Sequence, residues 1–324
     1  MKIAIGPVLF EWGKKELRRF YHQMAYESAA DILYIGEVVC GRRSHLTVPE
    51  LLQLAQELQP SGKEIVFSTF GLVMNDEEQL FIRQLVTMAQ QHGLMVEVND
   101  MAGLAIGEGS DMVAGPHINS YNPETIAFLA TVGVRRVVFP VELSRDMIAA
   151  IIRKRPPQPL EYELFAWGRL PLSLSARCYT ARAFQLSKAN CQYRCGDYPD
   201  GLPLHTQTGE PFLTINGVQM MSDATFNLIR EIELLQQIGV DVVRLSPQSQ
   251  GMLERTAVWR QRLDGQLSAI DGQAALTRLD ATASYCNGYF YGQAGLDLVE
   301  AVATVVAMEH DSTENLEECC HADR

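Results

Sequence analysis

The feature that most constrains the fold is a regular alternation of short apolar runs with longer stretches of helical period. The runs have the length and composition of buried parallel strands; they cover residues 3–8, 32–39, 64–68, 94–98, 111–114, 136–139, 161–167 and 241–245. The helical stretches between them cover 14–28, 48–58, 76–92, 123–132, 145–154 and 223–238. Eight strands alternating with helices predict an α/β fold, a (β/α)8 TIM-like barrel. A doubly wound sheet is the alternative fold, and periodicity alone does not distinguish it from the barrel.

The alternation breaks once, between the seventh and eighth predicted strands. Residues 169–222 form a long excursion that contains three cysteines and a predicted hairpin over 212–221. We therefore expect a single barrel domain over 1–308 that includes this cysteine-rich insertion. Residues 309–324 are polar and acidic, and we expect them to be disordered.

Four cysteines are placed as the ligands of one metal group. Cys178, Cys191 and Cys195 lie within 18 residues of one another, and Cys40 directly follows the second apolar run. Parallel barrel strands all end at one rim, so a long loop after the seventh strand can reach Cys40. Four thiolates predict an iron–sulfur cluster, with zinc as the alternative. Only Cys191 and Cys195 have the tight spacing usual for structural zinc, which favours iron–sulfur.

Composition and charge limit the partners of the chain. The 324 residues carry a formal net charge of −12, which argues against broad binding to nucleic acid or to anionic membranes. No run reaches the roughly 18 apolar residues of a membrane span, and the N-terminus resembles a strand more than a signal peptide. The cysteines are odd in number, which predicts a reducing cytoplasm and metal ligation instead of disulfides. Cys286 is expected to pack, and the adjacent Cys319 and Cys320 are poorly placed to hold one metal.

Polar residues follow the ends of several predicted strands and would share the barrel mouth with the cysteines. A polar ring around an apolar pocket is typical of a small-molecule site. Each member also has a plainer interpretation, as a hydrogen-bonded loop residue. The candidates are Glu37, Asn99, His117, Glu142, Glu163 and Arg177. The pair Arg42 and Arg43 suits bidentate binding of a carboxylate, or equally a solvated surface position. No catalytic residue is identified from the sequence.

Two motifs resemble those of a known family. Residues 31–36, Asp-Ile-Leu-Tyr-Ile-Gly, resemble the early D-x-x-Y-x-G of the collagenase-like peptidase family. Residues 163–168, Glu-Leu-Phe-Ala-Trp-Gly, and then Cys178 resemble its signature, E-x-F-x-x-G with a cysteine ten residues beyond the glycine. The resemblance runs from Met1 to about Leu245 and implies a barrel domain.

Within that family the chain is most similar to the UbiV-type branch, which belongs to oxygen-independent ubiquinone biosynthesis. This resemblance implies a [4Fe-4S] cluster held by one early and three late cysteines, a pattern that Cys40, Cys178, Cys191 and Cys195 match. It also implies a heterodimer with UbiU and a lipid-carrying accessory, UbiT. The implied reaction is O2-independent hydroxylation of the ring of a prenylated aromatic precursor.

The chain also departs from the family pattern. Pro171 stands where the signature has an earlier cysteine, Ala176 where it has a glycine, and Val141 where it has an arginine. These departures argue against peptidase activity and fit the UbiV-type branch. Two alternatives stay open: a metal-dependent peptidase, and a non-catalytic partner whose cluster only braces the long loop.

Overall fold

Eight parallel strands close into a barrel in the computed structural model, which describes residues 1–43 and 46–300. The first seven strands pair in chain order, and β11 closes the barrel because it pairs with both β1 and β7. The barrel strands are β1 (Lys2–Ile5), β2 (Ile32–Gly36), β3 (Glu64–Ser68), β4 (Met95–Val98), β5 (Met112–Ala114), β6 (Val134–Val138), β7 (Glu161–Leu174) and β11 (Val242–Leu245). The prediction of a (β/α)8 barrel is confirmed. The predicted acidic tail, with Cys319 and Cys320, lies outside the described residues.

Helices connect the strands around the outside of the barrel, and side-chain caps fix where several of them begin. Thr47 and Glu50 form a reciprocal capping box at one helix, while Asn75, Asn122 and Ser144 each cap another. In the described part of the chain, no helix has the length and apolarity needed to cross a membrane. The helices are α1 (Lys14–Glu27), α2 (Val48–Leu58), α3 (Asp76–Gln91), α4 (Met101–Ile106), α5 (Pro123–Thr131), α6 (Arg145–Arg153), α7 (Tyr179–Ala183), α8 (Ile232–Ile238), α9 (Met252–Leu263) and α10 (Ala269–Leu279).

The insertion between the seventh and eighth barrel strands extends the sheet beyond the barrel. Strand β7 is 14 residues long, and its distal half pairs antiparallel with β10 (Gln219–Asn227). A meander of β8 (Leu202–His205), β9 (Pro211–Asn216) and β10 follows, and the short β12 (Tyr285–Cys286) pairs with β10. The predicted hairpin is therefore present.

The predicted helix over 223–238 is wrong in its first half. The Ser222 hydroxyl, just before this stretch, donates to the Ala224 carbonyl oxygen at 2.6 Å and accepts from the Leu170 N–H at 2.8 Å. Residues up to Asn227 continue β10, and helix α8 begins only at Ile232. Pairing with the extended part of β7 overrides the local helical pattern, because β propensity depends strongly on cross-strand neighbours.

A network of charged side chains lies inside the barrel. The Arg244 guanidinium contacts the Glu97 carboxylate at 2.6 Å and the Glu163 carboxylate at 2.5 Å. The Tyr34 hydroxyl donates to the other Glu163 oxygen at 2.5 Å, and Arg136 donates to the Tyr34 oxygen at 3.1 Å. All five side chains are buried. Burial, reinforced by the charge of Glu163, raises the pKa of Tyr34, so its hydroxyl stays protonated and acts as a donor.

We expect Glu163→Gln to lower the free energy of unfolding by about 3 kcal/mol, because Arg244 and Arg136 lose a buried counter-charge. Asp111→Asn is the matched control, since Asp111 pairs with Arg135 at the surface and its side chain is 62% exposed. The control is expected to cost less than about 1 kcal/mol. Urea unfolding followed by tryptophan fluorescence measures both variants, and equal losses would contradict the assigned role of the buried network.

Candidate functional site

Cys40 lies in the loop that follows β2, where Glu37 organises the backbone. One carboxylate oxygen of Glu37 accepts hydrogen bonds from the N–H groups of Val39 and Cys40, at 2.8 and 3.1 Å. The Cys40 carbonyl oxygen accepts from the Arg43 N–H at 2.8 Å, which starts a single 3-10 turn. Burial raises the pKa values of both Glu37 and Cys40. Glu37 therefore positions Cys40 through the backbone.

The other three cysteines lie in the first part of the insertion. Cys178 is the N-cap residue of α7, and its sulfur accepts a hydrogen bond from the Ala181 N–H at 3.3 Å. Cys191 and Cys195 lie at successive 3-10 turns. Tyr193, between them, has a left-handed backbone with φ of 52°, which turns the chain tightly between the two cysteines.

All four of these cysteines line one cavity of about 350 Å³, part of which is open to solvent. Each is partly buried, and none forms a disulfide. Four basic residues line the same cavity: Arg42, Arg43, Lys188 and Arg194. The fold thus brings a residue after the second strand together with three residues more than 130 positions later. The wall of the cavity is rich in both thiols and positive charge.

Arg43 links this cavity to the protein core. Its guanidinium is buried and donates to the Leu9 carbonyl oxygen and to the Asn216 side-chain oxygen, each at 2.7 Å. It also faces the thiol of Cys195. Burial raises the pKa of Cys195, and the charge of Arg43 offsets part of that shift. Burial likewise raises the pKa of the neighbouring Glu11 to about 7, against the opposing charge of Arg43.

The donor set fits a thiolate-bound group, because four cysteine sulfurs are the ligands of iron–sulfur clusters and of one class of zinc site. Positive charge nearby favours thiolates over thiols. Within residues 1–43 and 46–300, no three His, Cys, Asp or Glu side chains converge on a position for a single metal ion. The four cysteines surround a shared volume. In a [4Fe-4S] cluster each of four thiolates would bind a different iron, so four cysteines around a shared volume could hold one.

The polar residues predicted at the barrel mouth are only partly brought together. Asn99 and His117 line a second cavity at the mouth, which has no lining residue in common with the cysteine cavity. Glu163 lies within the barrel network. Glu142 is exposed and accepts from the Tyr121 hydroxyl at 2.5 Å, and Arg177 is exposed beside Cys178. The predicted single ring of polar residues is thus dispersed over the mouth cavity, the loop after β2, the barrel interior and the surface.

Sequence reasoning missed two functional candidates, Glu97 and Arg244. Both are charged residues inside predicted buried strands, and both are buried in the structure. The sequence signal for both residues is a charge within a strand that is apolar on both faces. A charged side chain buried there requires a partner or a ligand. The structure also places Arg42 and Arg43 in different surroundings. Arg43 is buried, whereas Arg42 donates to the Ala189 carbonyl oxygen at 2.9 Å.

Comparisons with known proteins give the family of the chain. Residues 20–298 match the family described as Peptidase family U32. A collagenase from Porphyromonas gingivalis is 21% identical over 296 residues, covering 83% of this chain and 70% of that protein. Among solved structures, the U32 peptidase Mk0906 is similar with a TM-score of 0.43 and 11% identity, covering 76% of this chain and 93% of that one. A tryptophan synthase complex from Pyrococcus furiosus has a TM-score of 0.40 and 10% identity, with coverages of 86% and 95%. Because the family match extends over far more than half of its length, the chain belongs to peptidase family U32.

Proposed function

We propose that this U32 protein is the iron–sulfur subunit of an O2-independent hydroxylase of ubiquinone biosynthesis. The observation that carries the proposal is the shared cavity of Cys40, Cys178, Cys191 and Cys195. These four residues would hold a [4Fe-4S] cluster, with zinc as the alternative occupant. When bound, the cluster would supply one-electron transfer. The proposed unit is the barrel over 1–308 with its insertion, acting in the reducing cytoplasm.

The residues around the cavity support a bound group that carries negative charge. Four thiolates bring four negative charges, which the metal atoms neutralise only in part. Arg43 lies against Cys195, and Arg42, Lys188 and Arg194 complete the basic lining. The hydrogen bond from the Ala181 N–H to the Cys178 sulfur is of the kind that tunes cluster sulfurs. Glu37 keeps the Cys40 loop in place through two backbone hydrogen bonds.

The finer assignment within the family is supported by sequence. The UbiV-type pattern of one early and three late cysteines is present, while Pro171 and Val141 replace residues of the peptidase signature. The proposal therefore includes a heterodimer with UbiU, the accessory UbiT and a prenylated aromatic precursor as substrate. In this chain, the four cysteines would hold the cluster.

A second candidate is a metal-dependent peptidase, which the collagenase from Porphyromonas gingivalis favours as a relative. Hydrolysis of a collagen-derived peptide by the purified chain, and its loss in Cys178→Ala, would support this candidate over the hydroxylase. A peptidase also requires a free nucleophile or an open metal position, whereas the proposed cluster uses all four cysteines of the cavity.

We expect Cys40→Ala, Cys178→Ala, Cys191→Ala and Cys195→Ala each to lose most of the bound iron and acid-labile sulfide, because each variant removes one of four ligands. Cys286→Ala is the matched control: Cys286 is buried beside the Ala224 carbonyl oxygen, outside the cavity. The control should keep its iron. Iron, zinc and sulfide are assayed in protein purified without air. Full iron in any of the four variants removes that residue from the ligand set, and zinc in the wild type contradicts the redox assignment.

We expect deletion of the gene to abolish ubiquinone formation without oxygen and to spare it in air. A Cys178→Ala strain should behave as the deletion does, because an O2-independent hydroxylase that depends on its cluster fails once a ligand is lost. Quinone content is measured in both strains under both conditions, with a Cys286→Ala strain as the control. Normal anaerobic quinone in the Cys178→Ala strain would favour a cluster that only braces the loop. Loss in air as well would indicate a general step of the pathway.

A further inference from the structure

The insertion that carries three of the four cysteines is basic, although the chain as a whole is acidic. The formal net charge of the chain is −12. No residue between Glu163 and Asp197 is acidic. The basic residues of this segment are Arg169, Arg177, Arg182, Lys188 and Arg194. The insertion is therefore a local region of positive charge on a molecule whose net charge is negative.

The basic residues that line the cysteine cavity are explained by the group that the cavity would hold. Four thiolates on metal atoms leave a net negative charge, which basic side chains offset. The basic residues of the lining are Arg42, Arg43, Lys188 and Arg194. Arg177 and Arg182 do not belong to this lining. Neutralising the charge of a bound group therefore does not explain the two exposed arginines.

Arg177 and Arg182 both lie next to Cys178. Arg177 directly precedes Cys178, and the Arg182 N–H donates to the Cys178 carbonyl oxygen at 3.1 Å, so Arg182 lies one helical turn further along. Both side chains are exposed. In the part of the chain that the structure describes, neither forms an ion pair or a side-chain hydrogen bond. Two guanidinium groups thus flank a cysteine of the cavity without a counter-charge from these residues.

Two exposed apolar side chains lie beside the same cavity. Tyr193, between Cys191 and Cys195, lines the cavity and is 48% exposed. Met74, in the loop before α3, is 43% exposed, and its sulfur lies 3.9 Å from the Lys188 ammonium nitrogen. Arginine, tyrosine and methionine are all enriched in protein–protein interfaces. The basic face, as named here, consists of Arg42, Arg177, Arg182, Lys188 and Arg194 together with Tyr193 and Met74.

Carboxylates at the start of α3 border the basic face on one side. The first turn of α3 contains Asp76, Glu77 and Glu78, and the Glu78 carboxylate accepts from the Met74 N–H at 2.7 Å. A nucleic-acid strand is held through a long row of phosphate contacts, which a short face bordered by carboxylates does not provide. A small electron-transfer protein needs less, because such complexes bury less than about 1,200 Å² in total. The extent of the face therefore favours a compact acidic protein.

We propose that the basic face docks a small acidic protein that carries one electron. The negative charge of the rest of the chain repels such a carrier, and the basic face attracts it, so the carrier is oriented as it approaches. The docked carrier lies over the cysteine cavity, where Cys191 and Cys195 are only partly buried. One electron then passes from the reduced carrier to the group held by the cysteines, and no bond forms or breaks. The electron step rests on the proposed function, whereas docking does not.

The test uses a plant-type [2Fe-2S] ferredoxin, an acidic protein, as the probe. Calorimetry follows the binding of its oxidised form to the full-length protein purified without air. We expect saturable binding with a Kd on the order of 10 μM at about 20 mM salt. The affinity should fall at least about tenfold at about 300 mM salt, because salt screens exposed charges. Absence of saturable binding, or an affinity that salt does not change, would overturn the proposal without any variant.

Location is tested with the double variant Arg177→Glu/Arg182→Glu, which leaves the cavity lining unchanged. We expect it to weaken ferredoxin binding at least about tenfold. Arg153→Glu/Lys154→Glu is the matched control: it changes the net charge equally, at two exposed positions at the carboxyl end of α6, and should weaken binding less than about threefold. Equal losses would show an effect of net charge alone and contradict the proposed face.

A second variant keeps the test valid if the reversed charges prevent folding. Arg177→Gln/Arg182→Gln removes both charges without introducing carboxylates, and it should still weaken ferredoxin binding severalfold. Unchanged affinity in this variant would also exclude the proposed face. A single-stranded RNA oligonucleotide tests the other class of acidic partner. Weaker binding of the RNA than of the ferredoxin supports a protein partner, and tighter binding would assign the face to nucleic acid and overturn the proposal.

Iron content, measured in the same samples, separates this inference from the proposed function. Protein with a full cluster that does not bind the ferredoxin retains the cluster assignment and loses the docking face. Protein without iron that binds the ferredoxin through Arg177 and Arg182 retains the docking face and loses the cluster.

Discussion

The pairing of β11 with both β1 and β7 is the constraint on which the rest of the structure depends. Val242 is in register with Lys2 on one side and with Glu163 on the other, so the sheet closes and every barrel strand runs in one direction. Closure brings all the carboxyl ends to one rim. Both cavities result from this, because the Cys40 loop, the insertion after β7 and the polar ends of β4 and β5 all lie on that side.

Closure of the barrel also buries charged side chains, which need counter-charges inside the barrel. Glu97 and Glu163 point inward from β4 and β7, and Arg244 of β11 lies between them. Buried carboxylates without a counter-charge would be costly, so the three residues depend on one another. The network leaves Nη2 of Arg244 without a hydrogen-bond partner among the described residues.

The cysteine cavity and the mouth cavity use different chemistry. The first combines thiols with four basic side chains, and the second combines the Arg244–Glu97 ion pair and the Asn99 amide with an apolar wall. The apolar cluster that includes Leu9 and Val38 separates them. The two cavities therefore have no lining residue in common.

The sequence by itself determined the alternation of eight buried strands with helices and the grouping of Cys178, Cys191 and Cys195, because both depend on local spacing and periodicity. It left a barrel and a doubly wound sheet open, and the pairing of β11 with both β1 and β7 decided for the barrel. It also indicated Cys40 correctly as a residue of the same rim, since strand order fixes which ends meet. Only the tertiary structure decided the continuation of β10 over the predicted helix, the burial of Arg43 and the dispersal of the predicted polar ring. It also decided the pairing of Arg244 with Glu97 and Glu163. These features depend on contacts between residues far apart in the chain, and pairing energy across such distances leaves no local pattern to read.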